Sequence, residues 1–159
     1  MTYKVAVVVG SLRRESFNRQ LAQAVISLAP ADFTFEFLEI GNLPLYSQDY
    51  DADFPEVARN LKQKISEANA LLFVTPEYNR SIPGVLKNAI DWGSRPWGHS
   101  AWGGKPGAVT PQGMLQKRRA RLWLADVNVN TAATRHFTVP CRQVPGLAIG
   151  QCQPDIGSA

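Results

Sequence analysis

The chain has 159 residues, 45% of them apolar and 19% charged, with a formal net charge of +4. That length suits one domain spanning 1–159, and the apolar share suffices for a packed core, which excludes an intrinsically disordered chain. No run approaches the roughly 20 consecutive apolar residues of a membrane helix, so no membrane partner is expected.

In chain order, Lys4–Val9 (KVAVVV) is an unbroken β-branched run ending at Gly10, as expected for a parallel strand buried on both faces. It meets a Gly-Ser turn and two arginines with no small-residue cleavage site, so a strand is expected here rather than a leader. Asn18–Leu28 sets Leu21, Val25 and Leu28 on one helical face before Pro30. Phe33–Ile40 alternates phenylalanines with Thr34 and Glu36, the pattern of a half-exposed strand. After a turn-rich link, the segment 55–69 repeats Val57, Leu61 and Ile65 at helical spacing, with Pro55 at its first turn. Ala70–Thr75 is a second buried-strand run, and a helix at 84–92 presents Val85, Leu86, Ala89 and Ile90 inward. The alternation predicts an α/β fold: a doubly wound parallel sheet with helices on both faces, in three layers. In such folds ligands bind beyond the carboxyl ends of the strands, which is where GSLRRESFN and PEYNRSIPG fall.

The first of these stretches has Gly10 for a sharp turn, small donors in Ser11, Ser16 and Asn18, a cation in Arg13, and a following helix N-terminus. A phosphate cradle and a helix capped by Ser16 or Asn18 with solvated arginines explain it equally well. The stretch is neither GxGxxG nor GxxxxGK[ST], so a mononucleotide is the more economical occupant. In the second stretch, Pro76 and the Pro83–Gly84 pair stiffen a non-helical segment. Its Tyr78 and backbone amides suit a flat heteroaromatic ring.

The pairing of GSLRRESFN with PEYNRSIPGVLKNAIDW resembles the NADPH-dependent FMN reductase family over about residues 3–105, and within it the soluble bacterial chromate and quinone reductases. The resemblance implies a flavodoxin-like fold, FMN as cofactor, NADPH or NADH as co-substrate, and quinones as acceptors, with chromate or azo compounds as further ones. Ser11, Arg13, Ser16, Phe17 and Asn18 would then hold the phosphate and ribityl end. Pro76, Glu77, Tyr78, Asn79 and Ser81 would line the ring, and Arg80 would meet the nicotinamide nucleotide or an anionic acceptor. A homodimer or homotetramer is implied, with Asp91, Trp92 and Arg95 as interface or pocket-rim positions. No side-chain nucleophile is expected, because the flavin carries the redox step. Two other readings are a flavodoxin-type electron carrier and a flavin-binding protein with impaired catalysis. The basic front loop favours the reductase over the carrier.

Cys141 and Cys152 lack CxxC spacing and are expected to be incidental thiols of a cytoplasmic protein. His99 and His136 are isolated, so no metal site is expected. Positive charge gathers at Arg13, Arg14 and Arg19 and again at Lys117, Arg118, Arg119 and Arg121, without the aromatic interleaving of a nucleic-acid surface. Nucleic acid is therefore not expected as a partner. After Lys105 the family pattern fades. Residues 107–110 are too short for a confident strand and are followed by Pro111, and residues 114–127 could form a helix with a cationic run. A divergent variant, a disrupted reading frame and a poor registration all remain open for 106–159.

Overall fold

A computed structural model describes residues 1–112. The expectations placed on 114–127, on the second basic cluster, and on His136, Cys141 and Cys152 lie outside the described residues. Four strands, β1 (Tyr3–Val9), β2 (Phe33–Phe37), β3 (Ala70–Pro76) and β4 (Gly107–Gln112), form a parallel sheet in the order β2-β1-β3-β4. Helices α1 (Phe17–Ser27), α2 (Glu56–Glu67) and α3 (Gly84–Ser94) connect them.

Alternation along β1 divides the core into two parts. Val5, Val7 and Val9 pack with Leu72, Val74 and Ala22 of α1, while Ala6 and Val8 pack with Leu61, Ile65, Leu86, Ala89 and Ile90 of α2 and α3. Both faces are therefore covered, which is why this strand carries no polar alternation. Each fully buried aliphatic side chain contributes roughly 1.5–3 kcal/mol. The expected three-layer α/β arrangement is present in the described residues.

Three expectations about packing need correction. Leu28 is not on the buried face of α1: it is the C-cap, and its side chain is 56% exposed. In α2 the closely packed residue is Ala58 rather than Val57, which is only partly buried. Residues 107–110 do belong to a strand. β4 pairs with β3 from Leu71↔Gly107 to Pro76↔Gln112, and the amide of Leu71 donates to the Pro106 carbonyl at 2.9 Å. Pro111 forfeits one donor, which costs little where only one side of the strand is paired among the described residues.

Between β2 and α2, the link from 41 to 55 folds as a strap over the C-terminal half of α3. Tyr46, Tyr50 and Phe54 surround the ring of Trp92 at centroid separations of 5.2, 5.6 and 5.1 Å. Lys62 of α2 donates from Nζ to the carbonyls of Arg95 and His99, so the loop after α3 is tied to its neighbouring helix. The surrounding protein desolvates this ammonium and lowers its pKa.

Candidate cofactor site

The register Val9↔Val74 sets the ends of β1 and β3 side by side, so Gly10 lies against Thr75. A Cβ at Gly10 would stand 2.5 Å from Thr75 Oγ1 and 3.1 Å from Leu86 Cδ2. Any other residue would wedge the strands apart where the two loops begin. Thr75 is itself fixed, buried and donating from Oγ1 to the Pro76 carbonyl at 3.0 Å. Sequence reasoning passed over Thr75. Its one signal is a hydroxyl at the end of an otherwise apolar strand.

Loop 10–16 leads into α1. Ser16 is the N-cap, and its Oγ accepts the amide of Arg19 at 3.2 Å, so the capping role holds for this residue. Its hydroxyl proton is still available for donation. Arg13 is exposed and stands over the Phe17 ring at 5.4 Å, a cation–π contact that steadies a cation at the loop's rim. Asn18 is not a cap. It sits within the first turn of the helix, 4% exposed, with a buried Oδ1 that has no hydrogen-bond partner. Leu12 extends towards Gly41, where a Cβ would lie 3.0 Å from its Cδ2.

Loop 77–83 is a tight hairpin rather than an open segment. Tyr78 N donates to Ser81 O and Ser81 N to Tyr78 O, both at 2.9 Å. The central residues Asn79 and Arg80 have φ of 50° and 62°, the left-handed pair of a type I′ turn. The amides of Tyr78 and Ser81 are thus spent closing the hairpin and are not among those free to meet a flat ring. Asparagine tolerates this backbone, whereas arginine occupies it at a cost, and such strain tends to be kept at functional positions. Tyr78 is 56% exposed, and Glu77 carries a buried Oε2 without a hydrogen-bond partner.

The buried, unpartnered side-chain oxygens among the described residues are therefore Asn18 Oδ1, in the first turn of α1, and Glu77 Oε2, directly after β3. An unpaired buried polar atom costs about 1–3 kcal/mol. Two of them, on the segments that follow the neighbouring strands β1 and β3, are where a hydrogen-bonding ligand would repay that cost. The groove between β2 and α2, lined by Glu36, Leu38, Asn60, Leu61 and Lys64, shares no residue with either loop.

Of the residues placed at an interface or rim, Trp92 is fully buried in its own chain and donates from Nε1 to the Pro44 carbonyl at 2.8 Å. It serves as the floor of the strap and not as a subunit contact. Asp91 pairs with Lys87 one turn earlier, at 2.7 Å to Oδ2, and the Arg95 guanidinium stands 5.8 Å from the ring centres of both Tyr46 and Trp97. No group of three or more potential metal ligands occurs among the described residues.

A doubly wound sheet with two ligand-ready loops at the switch in strand order defines a nucleotide-binding α/β protein. Its sequence matches the profile of the NADPH-dependent FMN reductase family over residues 3–144, and the chain belongs to that family. The match runs beyond residue 105, where the resemblance was expected to fade. A 2-hydroxy-1,4-benzoquinone reductase of a Burkholderia species is 73% identical over 109 residues, covering 69% of this chain and 60% of that protein. A quinone reductase of Pseudomonas putida is 57% identical over 152 residues, covering 93% of this chain and 78% of that protein. Among solved structures, the flavoenzyme FerB of Paracoccus denitrificans, an NAD(P)H:(acceptor) oxidoreductase, superposes with a TM-score of 0.76 at 44% identity. That superposition covers 81% of this chain and 74% of FerB. The chain spans about 60% of the length of the first curated relatives it matches.

Proposed function

We infer that this chain is an FMN-dependent NAD(P)H oxidoreductase acting on quinones, and the observation that carries the reading is the pair of unpartnered oxygens, Asn18 Oδ1 in the first turn of α1 and Glu77 Oε2 directly after β3. The residues fit the group. Gly10 keeps the loop close to the sheet, and Arg13 with the amides of the α1 N-terminus suits a terminal phosphate. Asn18 Oδ1 suits a ribityl hydroxyl, with Ser11, Ser16 and Phe17 completing that end. Pro76, Glu77, Tyr78, Asn79 and Ser81 would flank the isoalloxazine.

Bound FMN would supply the two-electron chemistry, accepting hydride from the nicotinamide and handing electrons to the quinone. The protein's part is binding and electrostatics. The stiff hairpin would hold the ring, the exposed Tyr78 would lie beside it, and Arg80 would attract the phosphates of NADPH or an anionic acceptor such as chromate. No proton-shuttling side chain is invoked. The two quinone reductases similar to this chain support quinones as the acceptor class, and azo compounds would be a further one. A cytoplasmic homodimer or homotetramer, with no membrane or nucleic-acid partner, completes the proposal. Among the described residues no helix is long and apolar enough to cross a membrane.

The test is an absorption spectrum during titration with FMN, followed by addition of NADPH and then a benzoquinone. Flavin bands that bleach with NADPH and return with quinone are expected. A protein that takes up no FMN overturns the reading. Uptake without bleaching points to the electron-carrier alternative.

A further inference from the structure

We propose that Arg19, together with Arg14, holds a second phosphate group beyond the FMN phosphate, on the β2 side of the site, so that the site accommodates the second phosphate of a dinucleotide. The proposal rests on the FMN reading above and extends that site at its phosphate end. The order of the parallel strands, β2-β1-β3-β4, fixes a line along the carboxyl edge of the sheet. The loop after β3 comes first, the loop after β1 with the start of α1 comes next, and the end of β2 lies beyond. Phe37 is the last residue of β2 and pairs with Val7 of β1. The Arg19 guanidinium stands over the Phe37 ring, 5.0 Å from its centre. A cation is thus held past the loop that suits the FMN phosphate, on the side away from the hairpin that would meet the flavin ring.

Charge balance then selects the ligand. Arg13, Arg14 and Arg19 are all exposed, and none of them joins an ion pair among the described residues. The first turn of α1 carries no acidic residue. Glu15 and Glu39, the carboxylates nearest in sequence, are exposed and make no ion pair with these arginines. One phosphate is met by Arg13 and the amides at the start of α1. Two guanidiniums remain, and an anion between them would relieve a repulsion that no described carboxylate relieves. Stacking on Phe37 restrains the Arg19 side chain and leaves the edge of its planar fork free, the geometry that matches phosphate oxygens. Two dinucleotides bring such a group: a flavin dinucleotide, whose second phosphate is joined to the first, and the nicotinamide co-substrate.

The experiment measures FMN and FAD affinity, and the KM for NADPH of the FMN-loaded protein, in the full-length chain, Arg19→Gln and Arg14→Gln. The wild-type chain is expected to bind FAD at least as tightly as FMN. Arg19→Gln should weaken FAD about tenfold, the loss of a charge-assisted bond, while FMN affinity stays as it was and reports that the site is still folded. Arg14→Gln should act in the same direction. A selective loss of FAD affinity assigns the second phosphate to a flavin dinucleotide. A raised KM for NADPH without such a loss assigns it to the nicotinamide nucleotide. FAD affinity and KM both unmoved in Arg19→Gln overturn the proposal. Equal losses for FMN and FAD overturn it as well, because Arg19 would then serve the first phosphate. Failure of the wild-type chain to bind either flavin overturns the FMN reading itself.

Discussion

Asn88 and Tyr46, far apart in sequence, are joined by a hydrogen bond of 2.9 Å from the tyrosine amide to the asparagine Oδ1. The same side chain donates from Nδ2 to the Pro44 carbonyl at 2.9 Å, so one amide satisfies two backbone groups of the strap. Neither group has a helix or strand to supply its partner. The strap's course over α3 is therefore dictated by a single side chain together with the aromatic cluster on Trp92.

Replacing Asn88 by Ala should remove both bonds and leave the Tyr46 amide without a partner, costing about 2 kcal/mol. Urea denaturation checks this through a lower midpoint with an unchanged slope. An unchanged midpoint would show that the rings around Trp92 hold the strap without help.

Gly10→Ala should force β1 and β3 apart at the mouth of the site, because Thr75 Oγ1 and Leu86 Cδ2 occupy the space a Cβ needs. Overpacking of this kind costs about 1–3 kcal/mol, and FMN affinity should fall with it. Adding Thr75→Ala should recover part of the loss, since that removes the nearest clashing atom. Thermal melts and FMN titrations of the two single variants and the double variant give the coupling. Strictly additive losses would place the clash elsewhere.

Arg80→Gly should separate stability from function. The turn would become Asn-Gly, the pair that suits two consecutive positive φ angles, and the protein should gain about 0.5–1 kcal/mol. Loss of the guanidinium should raise KM for NADPH while FMN affinity stays unchanged. A variant that is stabilised yet keeps its KM would remove Arg80 from nucleotide recognition.

The charge network at the edge of the sheet should give stability an acid limb. Lys64 at 2.8 Å and Lys4 at 2.9 Å hold the Glu36 carboxyl below its ordinary pKa, and Gln63 and Lys4 do the same for Glu67. Below the ordinary carboxylate range the unfolded chain takes up protons that the folded chain still refuses. The contribution is therefore complete above about pH 4.5 and is lost as pH falls through the depressed folded values. Lys4, raised by the same carboxylates, keeps its contribution through neutral pH and loses it only as pH rises through its elevated folded value. Urea midpoints across pH 3 to 6 should decline less steeply for Glu36→Gln, and added salt should shrink the difference. Parallel profiles would make the network irrelevant to stability.

The sequence alone determined the order of strands and helices from β1 to α3, the burial of β1 on both faces, and the two loops of the candidate site. Those features are local: β-branched runs, helical spacing and turn residues act within a few positions of one another. It also brought the two loops together, since both had to emerge at one edge of a parallel sheet. Only the tertiary structure decided which residues of each loop remain available. Ser16 is engaged as a cap, the amides of Tyr78 and Ser81 are consumed in the hairpin, and Asn18 and Glu77 keep oxygens unpaired. Trp92 could not be recognised as a buried floor until the strap, 48 positions away at Pro44, was folded over it. β4 was likewise obscure, because Pro111 weakens any local strand signal and its order comes from pairing with β3. Local periodicity selects elements, whereas burial and hydrogen-bond satisfaction depend on partners that only the packed chain brings within reach.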